Sequence, residues 1–178
     1  MQTFRDLGFN RISIGVQDFE PEILKIINRH QTTEQVENVV NWSRELGYDS
    51  INFDLIFGLP FQTEESIRNT IKNTIALKTD RIAYYSYAHV PWIKGVGQRG
   101  FEDSDLPKDS EKRHLYELGK QLFFDAGYIE IGMDHFALPT DSLYKAMESK
   151  KLHRNFMGYT AGKTELMIGL GMSSISDS

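Results

Sequence analysis

Short stretches of the chain alternate apolar and polar residues with a period of two, which is typical of β-strands. In the first stretch, Ile12, Ile14 and Val16 alternate with polar or small residues. Four strands are predicted on this basis, at residues 11–17, 51–57, 82–89 and 128–134. The intervals between them are long enough for a crossover helix, so we expect the strands to run parallel.

The intervals carry helical signals and a repeated way of ending a helix. In residues 4–9 (FRDLGF), 43–48 (SRELGY) and 123–128 (FFDAGY), a helix would end at the glycine and an aromatic residue would lead into a strand. Glycine readily takes the left-handed conformation that often ends a helix. The repetition predicts alternating βα units and therefore an α/β fold.

Four residues mark predicted helix starts. Pro21 suits a first helical turn, Thr32 can open a capping box, and Thr63 and Ser110 can each begin a further helix. Between the last two helices, residues 91–107 are rich in glycine and charge. A loop of that length predicts a lid or a substrate-facing segment.

The alternation also predicts a polar face on the sheet. Asn52 and Asp54 oppose the apolar side chains of their strand, and Gln17 lies on the polar side of the first strand. Strands covered by helices are usually apolar on both faces, so a polar face indicates a lumen lined for a ligand. Polar groups at the C-terminal ends of several strands favour a βα barrel over a doubly wound sheet. Because so few strands cannot close a barrel, we expect this chain to be part of a longer enzyme.

Composition and charge argue against several functions. The chain has 178 residues, no cysteine, and 20 Lys and Arg against 25 Asp and Glu, for a net charge of -5. The scattered basic residues make nucleic acid and an anionic membrane poor partners. With no bilayer-spanning apolar run and no secretory stretch, we expect a cytoplasmic protein. Without cysteine, the chain itself offers no disulfide, no thiolate nucleophile and no thiolate ligand for zinc or iron.

Gln17 and Asp54 are the best candidates for ligand contacts, because each is a polar residue at the C-terminal end of a predicted strand. The alternative is a local structural role, in which Asp18 caps the next helix and Asp54 bonds backbone amides near Gly58. For Arg29, the alternative is a cation that complements a helix dipole. Position alone leaves both interpretations open.

Three strand-end residues, His89, Asp134 and His135, could bind a metal or exchange protons. A metal-dependent barrel hydrolase is therefore one alternative function. The spacing typical of metalloproteases is missing, however, and we predict no metal site in this chain.

Residues 152–160 (LHRNFMGYT) place His153 and Arg154 beside aromatic residues. This composition suits a flat, acidic ligand, since a guanidinium pairs with carboxylates and aromatic side chains lie against ring systems. The alternative is a polar loop that follows a helix, and composition does not separate the two.

Five motifs together resemble one known family. They are RISIGVQDF (11–19), NFDLIFGLPFQT (52–63), YAHVP (87–91), IGMDHFALP (131–139) and LHRNFMGYT (152–160). The combination resembles the oxygen-independent coproporphyrinogen III oxidases, which are radical S-adenosylmethionine (SAM) enzymes of heme biosynthesis. The first two motifs also resemble heme-chaperone relatives, whereas the last two are particular to the oxidases. We therefore favour the oxidases, and a heme-handling relative that is not an enzyme is the alternative.

The resemblance implies a radical SAM barrel of parallel strands with outer helices, of which residues 1–140 would form the second half. Residues 141–178 would be a connecting segment with a substrate- or cofactor-facing loop and a last strand. The family binds a 4Fe-4S cluster through a three-cysteine motif that this chain lacks. In the family, the cluster cleaves SAM with electrons from a donor, and two propionates of coproporphyrinogen III lose carbon dioxide to become the vinyls of protoporphyrinogen IX.

The resemblance also implies site residues. By motif, SAM would contact Gln17, Arg29, Asp54, Ala88 and Ile175. The candidates for contact with the tetrapyrrole substrate are Asp134, His135, His153 and Arg154. One departure is Met157, where the family has glutamine, because a thioether cannot donate the hydrogen bonds of an amide.

Overall fold

The computed structural model describes residues 1–90, 101–155, 158–172 and 174–176. The helices are α1 (Gln2–Asp6), α2 (Pro21–Ile26), α3 (Thr33–Glu45), α4 (Glu64–Ala76), α5 (Asp109–Asp125) and α6 (Ser142–Glu148). The strands are β1 (Arg11–Gln17), β2 (Ser50–Phe57), β3 (Arg81–Ser86), β4 (Ile129–Gly132), β5 (His135–Ala137), β6 (His153–Asn155) and β7 (Gly158–Thr160). The predicted α/β class is confirmed. Met157 and most of the predicted lid, residues 91–100, lie outside the described residues.

Five strands form one sheet in the order β1-β2-β3-β5-β4. β1, β2 and β3 pair in parallel, as predicted for the first three strands. β5 pairs antiparallel with both β3 and β4, so β4 runs in the direction of β3 without bonding to it. The prediction of a purely parallel sheet is wrong at this point, because a tight turn after β4 sends β5 back into the place beside β3.

Two predicted strands end earlier than expected. β3 ends at Ser86 rather than at residue 89, although the Tyr87 N–H still donates to the Phe57 carbonyl at 2.8 Å. β4 ends at Gly132, where φ of 144° begins the turn toward β5. The last strand predicted within residues 141–178 would contain Ile175, but residues 174–176 are irregular.

The predicted helix boundaries are largely confirmed. Thr32 and Thr63 each cap a helix in a reciprocal capping box, and Pro21 is the first residue of α2. The helix expected from Ser110 begins one residue earlier, because the backbone N–H of Lys108 donates to Glu111 at 2.8 Å and fixes the start there.

The glycine endings are confirmed as well. After α3, Gly47 has φ of 74°, and the N–H of Tyr48 donates to the carbonyl of Ser43 at 3.0 Å. The same arrangement follows α1 at Gly8 and α5 at Gly127. This ending satisfies carbonyls of the last turn and directs the aromatic residue into the next strand.

One face of the sheet packs against α3, α4 and α5 and forms the main core. Its fully buried side chains include Ile51, Phe53, Leu55, Ile67, Ile71, Phe123 and Phe136. Burying one such side chain stabilises the fold by about 1.5 to 3 kcal/mol. Within the described part of the chain, no helix is long and apolar enough to cross a membrane.

The other face is partly covered by α6 and by the antiparallel pair β6–β7. Leu143 of α6 packs with Ile131 and Ala137 of the β4–β5 hairpin. Next to this contact, the Asp141 carboxylate accepts hydrogen bonds from Arg81 Nε at 2.7 Å, Ser50 Oγ at 2.7 Å and the Leu143 N–H at 2.6 Å. The same carboxylate therefore caps α6 and anchors it to the first residues of β2 and β3.

Candidate functional site

The polar face of the sheet borders a cavity of about 410 Å³. Side chains from four strands and the β6–β7 hairpin line it, among them Ser13, Asn52, Asp54, Arg81, Tyr85, His135 and Tyr159. The lining confirms the polar inner face that the period-two alternation predicts. Another cavity, of about 500 Å³, lies on the outer side between α4 and α5 and is lined by none of the predicted site residues.

Asp54 lies in this polar face, inside β2 rather than at the predicted C-terminal end of the strand, and is held by two neighbouring side chains. Asn52 Nδ2 donates to Asp54 Oδ1 at 2.8 Å, and Ser13 Oγ donates to Asp54 Oδ2 at 3.1 Å. Asn52 Nδ2 also donates to Ser13 Oγ at 2.8 Å, so the three side chains form one network. In the alternative interpretation, Asp54 accepts hydrogen bonds from backbone amides near Gly58. The structure instead shows these two side-chain donors. Each carboxylate oxygen can accept about two hydrogen bonds, so a half-buried Asp54 can still accept from a ligand.

Gln17 and Arg29 converge over Gly15 at the C-terminal end of β1. A Cβ atom at Gly15 would lie 2.9 Å from Gln17 Nε2 and 3.4 Å from Arg29 Nη2, so a side chain there would displace both groups. Arg29 Nη1 donates to the Gly15 carbonyl at 2.5 Å and to Gln31 Oε1 at 3.1 Å. Arg29 therefore reaches back to β1, where a register shift between Ile14 and Gln17 interrupts the regular pairing with β2.

The other two predicted SAM contacts are Ala88 and Ile175. Ala88 is exposed just beyond the end of β3, at the edge of the sheet where β1 and β2 also end. Ile175 is 42% exposed and packs next to Gly169. Of the five predicted SAM contacts, only Asp54 lines the cavity. The structure therefore brings Gln17 and Arg29 together and leaves the roles of Ala88 and Ile175 as predictions.

A strained turn presents His135 to the cavity. Met133 and Asp134 have φ of 39° and 65°, values that cost about 1 to 3 kcal/mol for residues other than glycine and that cluster at functional sites. His135 Nδ1 lies 2.9 Å from the Met133 carbonyl, which accepts, so Nδ1 is the nitrogen that carries the proton. The other ring nitrogen, Nε2, lies 3.4 Å from the Tyr85 hydroxyl.

Tyr159 joins the β6–β7 hairpin to this turn. Its ring meets the His135 ring edge-on, with 5.4 Å between centroids, and the Arg154 guanidinium lies 5.8 Å from the Tyr159 centroid. Arg154, Tyr159 and His135 therefore form a continuous row from the surface to the cavity. His153, the remaining substrate candidate, is half-buried at the start of β6, opposite Thr160.

The residues proposed for a metal-dependent hydrolase do not share a site. His89 Nε2 lies 2.8 Å from Asp103 Oδ1, whereas His135 pairs with Tyr85. Among residues 1–90, 101–155, 158–172 and 174–176, no group of three or more metal-binding side chains comes together.

Tyr85 is a cavity residue that the sequence patterns above do not single out. The period of two could have identified it, because alternate residues of a strand point to the same face. Arg81, Ala83 and Tyr85 therefore share one face of β3, and all three line the cavity. The alternation is hard to recognise here because Tyr84 and Tyr85 are two aromatic residues in succession, although only Tyr84 belongs to the core.

The Asp134 carboxyl should titrate above its ordinary range. Burial raises the pKa of Asp134, nearby His135 lowers it, and the negative charge of Glu130 raises it. We expect ¹³C NMR of the carboxyl to give a pKa above the roughly 3.9 of an unperturbed aspartate. The variant Glu130→Gln removes one negative charge and should lower that pKa. A pKa at or below the ordinary value in the unmodified chain would contradict the burial of this group.

Comparison with known proteins shows which proteins this chain resembles. The radical SAM superfamily matches residues 1–73. The oxygen-independent coproporphyrinogen III oxidase of Pseudomonas aeruginosa is 46% identical over 176 residues, which are 99% of this chain and 38% of that protein. The protein of the same name from Paracoccus denitrificans is 44% identical over 176 residues, 99% of this chain and 39% of that protein.

A solved structure gives the same result. Coproporphyrinogen III oxidase (HemN) from Escherichia coli, a radical SAM enzyme, matches with a TM-score of 0.89 and 43% identity, over 97% of this chain and 40% of that chain. This chain thus spans about two fifths of the length of these relatives. The match confirms the radical SAM type of α/β fold expected from the motifs. Over the residues compared, the chain is similar in sequence and fold to radical SAM enzymes named as oxygen-independent coproporphyrinogen III oxidases.

Proposed function

We propose that this chain is the part of an oxygen-independent coproporphyrinogen III oxidase that binds SAM and contributes to the substrate pocket. The observation that carries the proposal is the convergence of Gln17 and Arg29 over Gly15, beside a strand that carries the oriented carboxylate of Asp54. In this proposal, residues 1–140 are the second half of the barrel and residues 141–178 a connecting segment. We use the term "the longer protein" for a polypeptide in which residues 1–178 are joined to a segment that binds the cluster.

The side chains of Gln17, Arg29 and Asp54 are chemically suited to binding SAM. The methionyl part of SAM carries a carboxylate and an ammonium group, and its ribose carries hydroxyls. A guanidinium pairs well with a carboxylate, and a carboxylate accepts from ammonium and hydroxyl groups. Both bonds described for Arg29 use Nη1, and its Nη2 group faces the space above Gly15 together with the amide of Gln17. We therefore assign Arg29 to the methionyl carboxylate and Asp54 to the ribose or the amino group.

The 4Fe-4S cluster does not fit this chain. The chain has no cysteine, and thiolates are the usual ligands of such clusters. Its ligands would come from the cluster-binding segment of the longer protein. Bound SAM would supply the radical chemistry of the family, while the residues described here bind it, orient it and exclude water.

Of the substrate candidates, His135 lines the cavity, and Arg154 lies over the ring of Tyr159, which lines it too. Coproporphyrinogen III carries propionate carboxylates, and the exposed Arg154 guanidinium, stacked on Tyr159, suits one of them. His135 Nε2 and the Tyr85 hydroxyl lie 3.4 Å apart and border the same cavity. We propose that Arg154 holds a propionate, with Asp134, His135 and His153 as further contacts for the tetrapyrrole.

We further propose that the longer protein acts in the cytoplasm and receives electrons from a separate donor. The alternative of a heme-handling protein has no comparable support, since the relatives compared above are named as oxidases.

Anaerobic reconstitution of the longer protein tests the proposal. With iron, sulfide, SAM and a reductant, we expect conversion of coproporphyrinogen III to protoporphyrinogen IX, measured by chromatography of the oxidised porphyrins. The 178-residue chain under the same conditions should give no product, because it has no cysteine ligands for the cluster. Stoichiometric heme binding by the longer protein without decarboxylation would instead favour the heme-handling alternative. Turnover by the 178-residue chain alone would contradict the assignment of the cluster to another segment.

A further inference from the structure

The chain reverses direction at the end of β1 through a three-residue turn centred on Gln17. The Asp18 N–H donates to the Val16 carbonyl at 2.9 Å, and Gln17 has φ of 68°. A turn of this kind with positive φ at its central residue is rare and strained. A glutamine in this conformation costs about 1 to 3 kcal/mol, so surrounding contacts must hold it there.

The contacts that hold the turn come from the outer side of the sheet, through Asp18. This side chain is 1% exposed, and its carboxylate accepts three hydrogen bonds. Oδ1 accepts from the Glu20 N–H at 2.8 Å and from the Thr70 hydroxyl at 2.6 Å, and Oδ2 accepts from Gln62 Nε2 at 2.7 Å. The Thr70 hydroxyl in turn accepts from the Phe19 N–H at 3.1 Å.

Gln62 extends the network to the end of β2. Its Nε2 also donates to the Ile56 carbonyl at 2.8 Å, and its Oε1 accepts from the Leu59 N–H at 3.0 Å. The network therefore joins the exits of β1 and β2, the two strands that carry Gln17 and Asp54. Since burial raises the pKa of Asp18, these hydrogen bonds also offset an unfavourable environment for its charge.

We propose that Asp18, Thr70 and Gln62 are positioning residues, which hold Gln17 in its left-handed conformation and fix the ends of β1 and β2 relative to each other. They act from the side of the sheet opposite the cavity and touch no ligand. The network thus sets the geometry in which Gln17 and Asp54 meet SAM, and in this respect it rests on the proposed function. A purely structural network would contribute to folding stability and leave SAM affinity unchanged.

Thr70→Val tests this role, because it removes the hydroxyl that bridges Asp18 and Phe19 while keeping the size of the side chain. We expect the dissociation constant of SAM for the reconstituted longer protein to rise about tenfold, measured by equilibrium binding well below the unfolding temperature. Thr70→Ser keeps the hydroxyl and should remain within about twofold of the unmodified protein. The matched control is Thr74→Val on the same helix, because its buried hydroxyl donates to the Thr70 carbonyl at 2.9 Å and does not contact Asp18.

A second measurement needs no ligand. In the 178-residue chain, amide hydrogen exchange measured by NMR should be faster at Asp18 and Glu20 in Thr70→Val, by at least fivefold relative to Thr74→Val. If the longer protein fails to bind SAM even without substitution, the proposed function is wrong, and the exchange rates still decide whether the network holds the turn. Unchanged exchange in Thr70→Val, or equal SAM affinity in Thr70→Val and Thr74→Val, overturns the positioning role.

Discussion

Replacing Asp141 by alanine should destabilise the chain by about 3 to 5 kcal/mol, the usual effect of removing one partner of a buried ion pair. Arg81 is 9% exposed and Asp141 is 6% exposed, so the remaining guanidinium would stay buried without its anion. Burial already lowers the pKa of Arg81, and Asp141 opposes that effect. The substitution also removes the cap of α6 and the acceptor of Ser50. Urea denaturation followed by circular dichroism gives the free energy of unfolding.

Two control variants separate the ion pair from the other contacts of α6. Ser142→Ala removes only the hydroxyl that accepts from Arg81 Nη2 at 2.9 Å, and should cost about 1 kcal/mol. The double variant Arg81→Met, Asp141→Ala removes the stranded charge, so it should be more stable than Asp141→Ala alone. If Asp141→Ala costs no more than Ser142→Ala, the carboxylate is not the anchor of α6.

Replacing Asp54 by alanine should weaken SAM binding to the longer protein by about 2 to 3 kcal/mol, or roughly 30- to 150-fold. The reason is that hydrogen bonds to an ionised group contribute more than neutral ones, and the Ser13 and Asn52 side chains hold this carboxylate in one orientation. Because Asp54 is half-buried and lies outside the main core, the free energy of unfolding should change far less. Equilibrium binding of SAM and urea denaturation, performed on the same preparations, measure the two effects.

Asp49→Ala is the matched control for this experiment. Asp49 lies just before the other end of β2, is exposed, and accepts a hydrogen bond from Asn10 Nδ2 at 2.8 Å. Its loss should leave SAM affinity unchanged. A variant Asp54→Ala that keeps its SAM affinity but loses much of its stability would reverse the assignment and make Asp54 a structural residue.

Much of the fold follows from local patterns. The helix ends at Gly8, Gly47 and Gly127, the capped starts at Thr32 and Thr63, and the polar face that carries Asp54 are all predicted from a few neighbouring residues. These features depend on backbone geometry within one or two turns of chain, so the sequence specifies them directly.

The remaining features depend on contacts between distant segments. β3 pairs with β5 rather than with β4, and the hydrophobic pattern of the sequence does not indicate which of the two strands is its neighbour. The prediction that Asp18 caps α2 is wrong, because Glu20 is the N-cap residue and no side chain caps the helix. Asp18 accepts from the Glu20 N–H, and its bonds to Gln62 and Thr70 span 44 and 52 residues. Contacts between residues so far apart in the chain leave no motif and no periodic pattern in the sequence. The family resemblance identifies Gln17 and Arg29 as candidates, whereas only the structure shows that they meet over Gly15.

The turn from Gly132 to His135 has a consequence for engineering. Asn-Gly is the pair that best tolerates positive φ at both central positions of a two-residue hairpin, and here Met133 and Asp134 occupy them instead. A designer who seeks thermostability would choose Asn-Gly for this turn, and would thereby remove the Asp134 carboxylate next to His135. With Asp134 as the proposed substrate contact, stability and ligand binding compete at this turn, and we expect a more stable variant obtained there to make the longer protein bind its substrate more weakly.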